Sequence, residues 1–382
     1  MKKVLVFAAA AALVLASCVK TEISSNVANM NQVITFSNYV PRAITKANTD
    51  YYVVSGDALK SGKSFGVFSW AKTNETTPWS VNNNLFAGVS EGNPLFMNNI
   101  EVTFGGDKAG DDGSNNTYAT RYWPAGDTPD GLSFFAYYPY SAAGLVLPTT
   151  ALGDATFTVR DTAPAQIDFM VSDVVADQYY GHTNSTYASG AEGTVDLTFH
   201  HMLTKVKFIF KTDNTDGNTA VTLIDADLSG IYKKNTLTNT YTKGSAQNGG
   251  TSAHDWGTAE SAGTFSIYVN GKVVSSTDYV TLTTGDSACV DGDVFLMVPQ
   301  TITTGQQKIT LKWTVATTGS ATITNTKTID LYDIVKSDNS HINWAKNSQV
   351  TYTITIGPKP IKFTATVDDW DSTIQNGSIS VN

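Results

Sequence analysis

The stretch of sequence that decides the fold covers residues 195–210 and reads VDLTFHHMLTKVKFIF. Its apolar side chains alternate with polar ones in two runs, which are Val195, Leu197, Phe199 and then Val206, Phe208, Phe210. Successive side chains of a β-strand point to opposite faces, so each run places three apolar side chains on one face of a strand. We therefore predict two β-strands here, each with a buried face.

The same alternation recurs towards the C-terminus, in the sets Leu311, Trp313, Val315; Tyr352, Ile354, Ile356; and Phe363, Ala365, Val367. Clusters of Thr, Ser, Asn, Asp and Gly separate such runs, for example at residues 105–116 and 212–219, and this composition is typical of turns. No long apolar stripe of helical period follows the first 17 residues. The pattern predicts an all-β protein built of antiparallel β-sandwiches, in which each sheet buries one face.

The length of the chain favours more than one domain. Its 382 residues exceed what a single hydrophobic core usually supports, so two domains are expected. Residues 183–193 are polar, rich in small residues and without apolar periodicity. We place the boundary in this stretch, with an N-terminal sandwich at residues 43–190 and a C-terminal sandwich at residues 191–382.

Residues 1–17 read MKKVLVFAAAAALVLAS and have the parts of a secretory signal peptide: two lysines, an apolar run and small residues before the cut. The apolar run is too short to span a membrane. Cys18 follows directly, and the junction resembles the bacterial lipobox, in which the cysteine thiol receives a lipid and becomes the new N-terminus. The alternative is an ordinary signal peptide cut nearby, in which case the mature protein is freely soluble.

The charge and the cysteine count exclude several function classes. The formal net charge is −9, and loss of Lys2 and Lys3 with the signal makes the mature chain more negative still. Binding to nucleic acid needs clustered Lys and Arg, so we expect no nucleic-acid partner and a membrane contact made only by the lipid on Cys18. If Cys18 is lipidated, Cys289 has no disulfide partner within the chain, and we interpret it as a small buried hydrophobe.

Several further segments, taken in order with the lipobox, resemble the fimbrillin family, the pilus subunits and related surface lipoproteins of Bacteroides-type bacteria. The matching segments are residues 34–36 (ITF), 41–43 (PRA), 65–70 (FGVFSW), 122–124 (YWP), 132–139 (LSFFAYYP), 168–170 (DFM), 195–206 and 367–370 (VDDW). Together they cover nearly the whole mature chain. The resemblance implies two sandwich domains of the transthyretin-like, Greek-key type.

The resemblance also implies a mechanism of assembly. In polymerising members of the family, a trypsin-like protease cuts after an arginine and an N-terminal strand is lost. A strand from a neighbouring subunit then fills the opened groove, which is a form of β-augmentation. Here the removable strand would be residues 33–40, within an N-terminal segment at residues 18–42, and the cut would follow Arg42. Lys46 is a secondary site, and the alternative for Arg42 is an exposed loop residue that is never processed.

The donor strand would come from the C-terminus, at residues 374–381, where Ile379 and Val381 alternate with polar residues. This strand is short and only weakly apolar. The sequence therefore does not decide whether the protein is a stalk, tip or anchor subunit of a pilus or an uncleaved surface protein. The implied partners are other pilin subunits through strand exchange, the maturation protease, and a host or bacterial surface ligand.

Catalytic and metal-binding patterns are weak. Residues 62–66 and 88–92 match Gly-x-Ser-x-Gly, but no helical pattern follows either match, as a hydrolase elbow would require. His200 and His201 are adjacent on a predicted strand and point to opposite faces, so they cannot share an ion. The acidic loop at residues 107–116 lacks the spacing of a calcium hand. We expect no enzyme activity, no catalytic residue, no bound metal and no cofactor.

The sequence therefore leads to two functional hypotheses. The first is a fimbrillin-like structural or adhesive subunit of a pilus at the outer membrane and cell surface, assembled by protease-triggered donor-strand exchange. The second is an outer-surface lipoprotein that binds glycans on exposed tryptophans and serves an uptake system. We interpret the aromatic segment 123–139 as part of the hydrophobic core. The same interpretation applies to five further tryptophans, Trp70, Trp79, Trp256, Trp313 and Trp344.

Overall fold

The computed structural model describes residues 33–39, 62–71, 85–87, 95–105, 117–124, 131–148, 154–178, 193–242, 250–336, 339–357 and 362–369. Four sites predicted from the sequence lie outside these residues: Cys18, Arg42, Ile379 and Val381. The signal peptide and most of the predicted domain boundary also lie outside them. None of the helices within the described ranges could span a membrane.

The described chain is all-β, as the alternating pattern predicts, with four 3-10 helices at Leu85–Ala87, Ala163–Ala165, Asp291–Asp293 and Leu331–Asp333. In chain order the strands are β1 (Thr35–Tyr39), β2 (Ser64–Ala71), β3 (Leu95–Thr103), β4 (Leu132–Tyr138), β5 (Leu145–Val146), β6 (Ala155–Thr158), β7 (Met170–Ser172), β8 (Val175–Gln178), β9 (Thr194–His201), β10 (Thr204–Lys211), β11 (Thr219–Thr242), β12 (Thr251–Trp256), β13 (Glu260–Ser266), β14 (Tyr268–Val269), β15 (Lys272–Val273), β16 (Val280–Thr281), β17 (Phe295–Met297), β18 (Lys308–Thr317), β19 (Ile323–Asp330), β20 (Ser348–Thr355) and β21 (Lys362–Asp369).

The first sheet has the strand order β1-β9-β7-β4-β2-β3, with β8 paired to β4. A segment that we name the strap, residues 117–123, joins its two edges. Thr117 and Thr103 exchange two backbone hydrogen bonds of 2.8 Å, so the strap continues from β3. At its other end the Ile34 amide donates to the Arg121 carbonyl at 2.9 Å, just before β1. The sheet therefore folds over its own inner face.

The inner face of the first sheet encloses a group of buried side chains that we name the inner cluster. Its aromatic members pack mostly edge to face, as aromatic rings prefer. The inner cluster consists of Ile34, Phe36, Phe65, Val67, Met97, Val102, Phe104, Trp123, Leu132, Phe134, Ala136, Tyr138, Met170, Val175, Val195, Leu197 and Phe199.

Two further sheets enclose a second, larger cluster. One has the order β17-β10-β20-β21, and the other has the order β19-β18-β11-β6-β5, with β12, β13 and β16 also paired to β11. Phe208 of β10 stacks on Tyr352 of β20, with ring centroids 5.2 Å apart. Leu223 of β11 and Leu311 of β18 lie in the same cluster. These sheets bury apolar side chains between them, as in a sandwich.

The strand faces predicted for residues 195–210 are confirmed. Val195, Leu197 and Phe199 of β9 lie in the inner cluster, whereas Val206, Phe208 and Phe210 of β10 lie in the second cluster. Only residues 202 and 203 separate the two strands. The chain therefore changes from one sheet to another within this short stretch.

Most strand pairs are antiparallel, as predicted, but β1 pairs with β9 and β10 pairs with β20 in parallel. Both parallel pairs join strands that are far apart in the sequence. Parallel strands need long crossover connections, and alternation within a strand carries no information about its partner. Strand direction therefore could not be predicted from the pattern.

Strands from both sides of the predicted domain boundary at residue 190 pair with strands from the other side. β9 follows that position but belongs to the first sheet, and β5 and β6 precede it but join the sheet of β11. The side chains of Phe68, Trp70 and Phe135, from β2 and β4, lie in the second cluster. The division into domains at residues 43–190 and 191–382 stays a prediction.

Gly230 provides a test of the long strand β11. The register of β11 shifts between Ser229 and Ile231, which marks a β-bulge, and Gly230 has a φ of +72° there. A Cβ atom at this position would lie 2.1 Å from the Gln306 carbonyl oxygen. We expect Gly230→Ala to lower the free energy of unfolding by about 2 kcal/mol or more, measured by urea denaturation. Gly217→Ala is the control, because no atom lies within 4 Å of the added Cβ, and an equal loss in both variants would contradict this account.

Candidate functional site

The candidate functional site is β1 with the groove that holds it. β1 is an edge strand of the first sheet and pairs in parallel with β9, from Thr35 opposite Thr194 to Tyr39 opposite Thr198. It falls within the predicted removable strand, residues 33–40, whose last residue lies outside the described part of the chain. Ile34 and Phe36 are fully buried in the inner cluster, as expected for one apolar face.

Phe36 fills an aromatic pocket. Its ring centroid lies 6.2 Å from that of Phe65, 5.8 Å from that of Phe134 and 5.8 Å from that of Tyr118, all in edge-to-face geometry. Burial of a phenylalanine side chain contributes about 3 kcal/mol, and each aromatic pair adds to it. The pocket therefore holds β1 mainly by apolar contact.

The strap covers the side of β1 that faces away from β9. The Tyr118 hydroxyl donates to the Ile34 carbonyl oxygen. Burial raises the pKa of Tyr118 to about 12. The indole Nε1 of Trp123 donates to the Gly193 carbonyl at 3.1 Å and ties the strap to the start of β9. β1 thus lies between two walls, β9 and the strap.

The other face of β1 is polar and is paired to β9 through side chains. Thr35 Oγ1 lies 2.7 Å from Thr194 Oγ1. The Ser37 hydroxyl donates to the Asp196 carboxylate, and both side chains are buried, with Ser37 2% exposed and Asp196 7% exposed. Sequence reasoning missed these contacts, because it treated the polar positions of both strands as solvent-facing.

The adjacent histidines point to opposite faces, as predicted. His201 Nδ1 lies 3.0 Å from Oδ1 and 2.9 Å from Oδ2 of Asp168, and both side chains are at most 1% exposed. His200 Nε2 lies 2.8 Å from the Asp173 carboxylate at the surface. The Asp168–His201 pair is therefore a buried structural contact.

Asp173 also meets His254 of β12, a contact that sequence spacing did not indicate. His254 Nε2 lies 3.5 Å from Asp173 at a cavity of about 410 Å³, which Lys346 also lines. Burial opposes ionisation of Asp173, but hydrogen bonds from His200 and His254 outweigh it and hold the pKa of Asp173 well below its usual range. Burial lowers the pKa of His254. The contacts connect the first sheet to the sheet of β11.

The structure also locates residues that the sequence weighed as sites. Residues 62–66 run into β2 rather than into a helix, which is incompatible with a hydrolase elbow, and residues 88–92 lie outside the described ranges. Cys289 is only partly buried, contrary to the prediction, because it lies in a segment between β16 and the 3-10 helix at Asp291–Asp293 and not in a core strand. Among the described residues, no group of three or more His, Cys, Asp or Glu side chains could hold a metal ion.

The described tryptophans pack in the protein interior. Trp70, Trp123, Trp313 and Trp344 are buried. Trp256 is partly buried, and its Nε1 donates to the Met202 carbonyl at 2.7 Å. The prediction of a core role is confirmed for the four buried rings, whereas Trp79 and Trp370 lie outside the described residues.

Phe36 tests how β1 is held. We expect Phe36→Ala to destabilise the docking of β1 by about 3–5 kcal/mol, because it empties a closed aromatic pocket. Hydrogen exchange of the β9 amides should then accelerate, and binding of a hydrophobic dye should increase. Thr35→Ala is the matched control on the polar face. Unchanged exchange in the Phe36→Ala variant would show that apolar contact does not hold β1.

The two adjacent histidines form a matched pair for a second test. We expect His201→Ala to lower the free energy of unfolding by about 3–5 kcal/mol, because it leaves the Asp168 carboxylate buried without its imidazole partner. His200→Ala should cost about 1 kcal/mol or less, because its ion pair is exposed to solvent. Both values can be measured by chemical denaturation. Equal losses would contradict the assignment of His201 as the buried structural histidine.

Comparisons with known proteins agree with this architecture. A family model described as Fimbrillin-like matches residues 45–370. A fimbrial protein from Bacteroides vulgatus is similar in structure, with a TM-score of 0.55 and 18% sequence identity, and the match covers 89% of this chain and 100% of that one. A candidate cell adhesion protein from Bacteroides uniformis matches with a TM-score of 0.45 and 17% identity over 88% of this chain and 98% of that one.

A fimbrial assembly protein from Parabacteroides distasonis matches with a TM-score of 0.38 and 10% identity, over 88% of this chain and 99% of that one. No curated protein sequence matches the chain. The family model spans most of the sequence, including the strands that form the groove from β2 to β9. The chain therefore belongs to the fimbrillin-like family.

Proposed function

We propose that this protein is a structural and adhesive subunit of a cell-surface fimbrium, assembled when β1 is removed and replaced by a strand from a neighbouring subunit. The observation that carries the proposal is the placement of β1. β1 is a five-residue strand at the edge of the first sheet. Nevertheless Phe36 of β1, and Ile34 just before it, are fully buried in the inner cluster.

Loss of β1 would have two physical consequences. The aromatic pocket around Phe36 would be exposed to water, and the edge of β9 would lose its backbone partners. An open sheet edge beside exposed apolar side chains favours pairing with another chain. A donor strand would restore both kinds of contact, since its backbone would pair with β9 and its alternate side chains would fill the pockets.

Proteolysis would trigger this exchange. Arg42 follows β1 by three residues, so a trypsin-like protease cutting there would separate β1 from the rest of the chain without removing any residue of β9 or the strap. The cut would also remove Cys18, the proposed site of lipid attachment. Membrane anchoring at the outer surface and assembly into a fibre would thus exclude each other for any one subunit.

The donor would be the C-terminal segment with Ile379 and Val381. In the sequence it follows β21, the edge strand of the sheet that contains β10. Its two alternating apolar side chains match Ile34, just before β1, and Phe36 of β1, which both lie in the inner cluster. The neighbouring pilin subunits are the partners that this function requires.

The alternative of a glycan-binding lipoprotein receives less support. Such a protein would present indole rings at its surface, whereas four of the five described tryptophans are buried. Among the described histidines, His200, His201 and His254 lie beside aspartates, and His341 stacks on Tyr332. We therefore favour a role in assembly and adhesion without enzyme activity.

Limited proteolysis tests the proposal. We expect an Arg-specific protease to cut the protein lacking the signal peptide and Cys18 after Arg42 first, because that residue lies in the segment between β1 and β2. Mass spectrometry should show the shortened chain, and a ladder of oligomers should follow on a native gel. Arg42→Gln is the control and should give neither the cut nor the ladder. Resistance of Arg42 in the folded protein, or cleavage with no gain in assembly, would contradict donor-strand exchange.

A further inference from the structure

We propose that Asp196, with Thr194 beside it on β9, selects the strand that occupies the groove by requiring side chains that donate hydrogen bonds. The inference rests on the proposed function, and it adds a rule for which strand is accepted. On one face of the incoming strand, apolar side chains would enter the inner cluster. On its other face, hydroxyl or amide side chains would lie beside Thr194 and Asp196 of β9.

The contacts of β1 supply the evidence. The register places Ser37 opposite Asp196 and Thr35 opposite Thr194. The Ser37 hydroxyl donates to the Asp196 carboxylate, and the Thr35 and Thr194 hydroxyls lie 2.7 Å apart. The side chains of Ser37, Thr194 and Asp196 are all less than a tenth exposed. These polar contacts are therefore part of a closed interface and not of a solvated surface.

Because Asp196 is buried, its carboxylate distinguishes between incoming strands by the side chain that they place opposite it. An apolar side chain in place of Ser37 would take away a hydrogen bond from a carboxylate that water reaches poorly, and the loss of a bond to a charged group is costly. An acidic side chain there would add repulsion between like charges. The pocket of Phe36 distinguishes less, because apolar contact is not directional. Selection among apolar strands would therefore come from the polar face.

The C-terminal segment of this chain fits the rule. Residues 378–382 read SISVN, so polar and apolar side chains alternate in the same way as in residues 34–37, which read ITFS. If Ile379 and Val381 took the places of Ile34 and Phe36, Asn382 would face Asp196. If the strand entered two residues further along, Ser380 would face Asp196. Either register offers a hydrogen-bond donor to the carboxylate.

The test uses residues 19–382, with the recognition sequence of a site-specific protease inserted after Arg42. β1 can then be released whether or not a trypsin-like enzyme acts at Arg42. Fluorescent peptides of residues 32–41 are added to the cleaved protein, and their dissociation constants are measured by anisotropy. This peptide series carries Ser37, Ser37→Ala or Ser37→Asp, and a further fluorescent peptide spans residues 374–382.

We expect Ser37→Ala to weaken binding about tenfold and Ser37→Asp to weaken it about a hundredfold or more. Asp196→Asn in the groove removes the charge at constant size, so the Ser37→Asp peptide should bind this groove at least tenfold better than it binds the original one. This rescue separates selection by Asp196 from a general effect of the peptide. If Asp196→Asn fails to fold, Asp196→Ser takes its place in the same comparison.

The outcomes separate this inference from the proposed function. Binding that is independent of residue 37 in both grooves would overturn the role of Asp196 and leave strand exchange intact. A Ser37-dependent result with no binding of a peptide of residues 374–382 would support the selection rule and overturn the C-terminal donor. A cleaved protein that binds none of the peptides would overturn both the groove and its selectivity.

Discussion

The structure depends on one constraint, which is that the first sheet must bury both of its faces. Strand β4 shows this most clearly, because all seven of its residues are buried. Leu132, Phe134, Ala136 and Tyr138 point into the inner cluster, and Phe135 and Tyr137 point into the second cluster. β4 is thus a wall shared by two cores, and the groove of β1 is one side of that wall.

Sequence alternation predicted the strands but not their neighbours. The runs at residues 195–199 and 206–210 are strands with the expected buried faces, since a period of two is set by local geometry. The pairing of β1 with β9 and the meeting of Asp173 with His254 join residues far apart in the chain, and no local pattern encodes such contacts. The aromatic run of β4 was recognised as core, but its division between two clusters required the position of the other sheets.

For the candidate site, too, the alternation of side chains predicted the buried apolar face of a strand but not the contacts of its polar face. The apolar positions Ile34 and Phe36 were visible in the sequence as one face of a strand. The polar positions Ser37 and Asp196 carried no signal, because a serine or an aspartate on an alternating strand normally faces water. Only the packed structure reveals that these two side chains are buried against each other.

The parallel direction of β1 and β9 has a consequence for the shape of an assembly. A groove on one part of a subunit and a donor strand on another form a heterologous contact, in which the two partners use different surfaces. Repetition of such a contact generates an open helical filament when the rotation between subunits does not close a ring. If a donor strand replaced β1 as proposed and kept its direction beside β9, every subunit would point the same way. The filament would be polar, with chemically different ends: one would present an empty groove, and the other a strand without an acceptor.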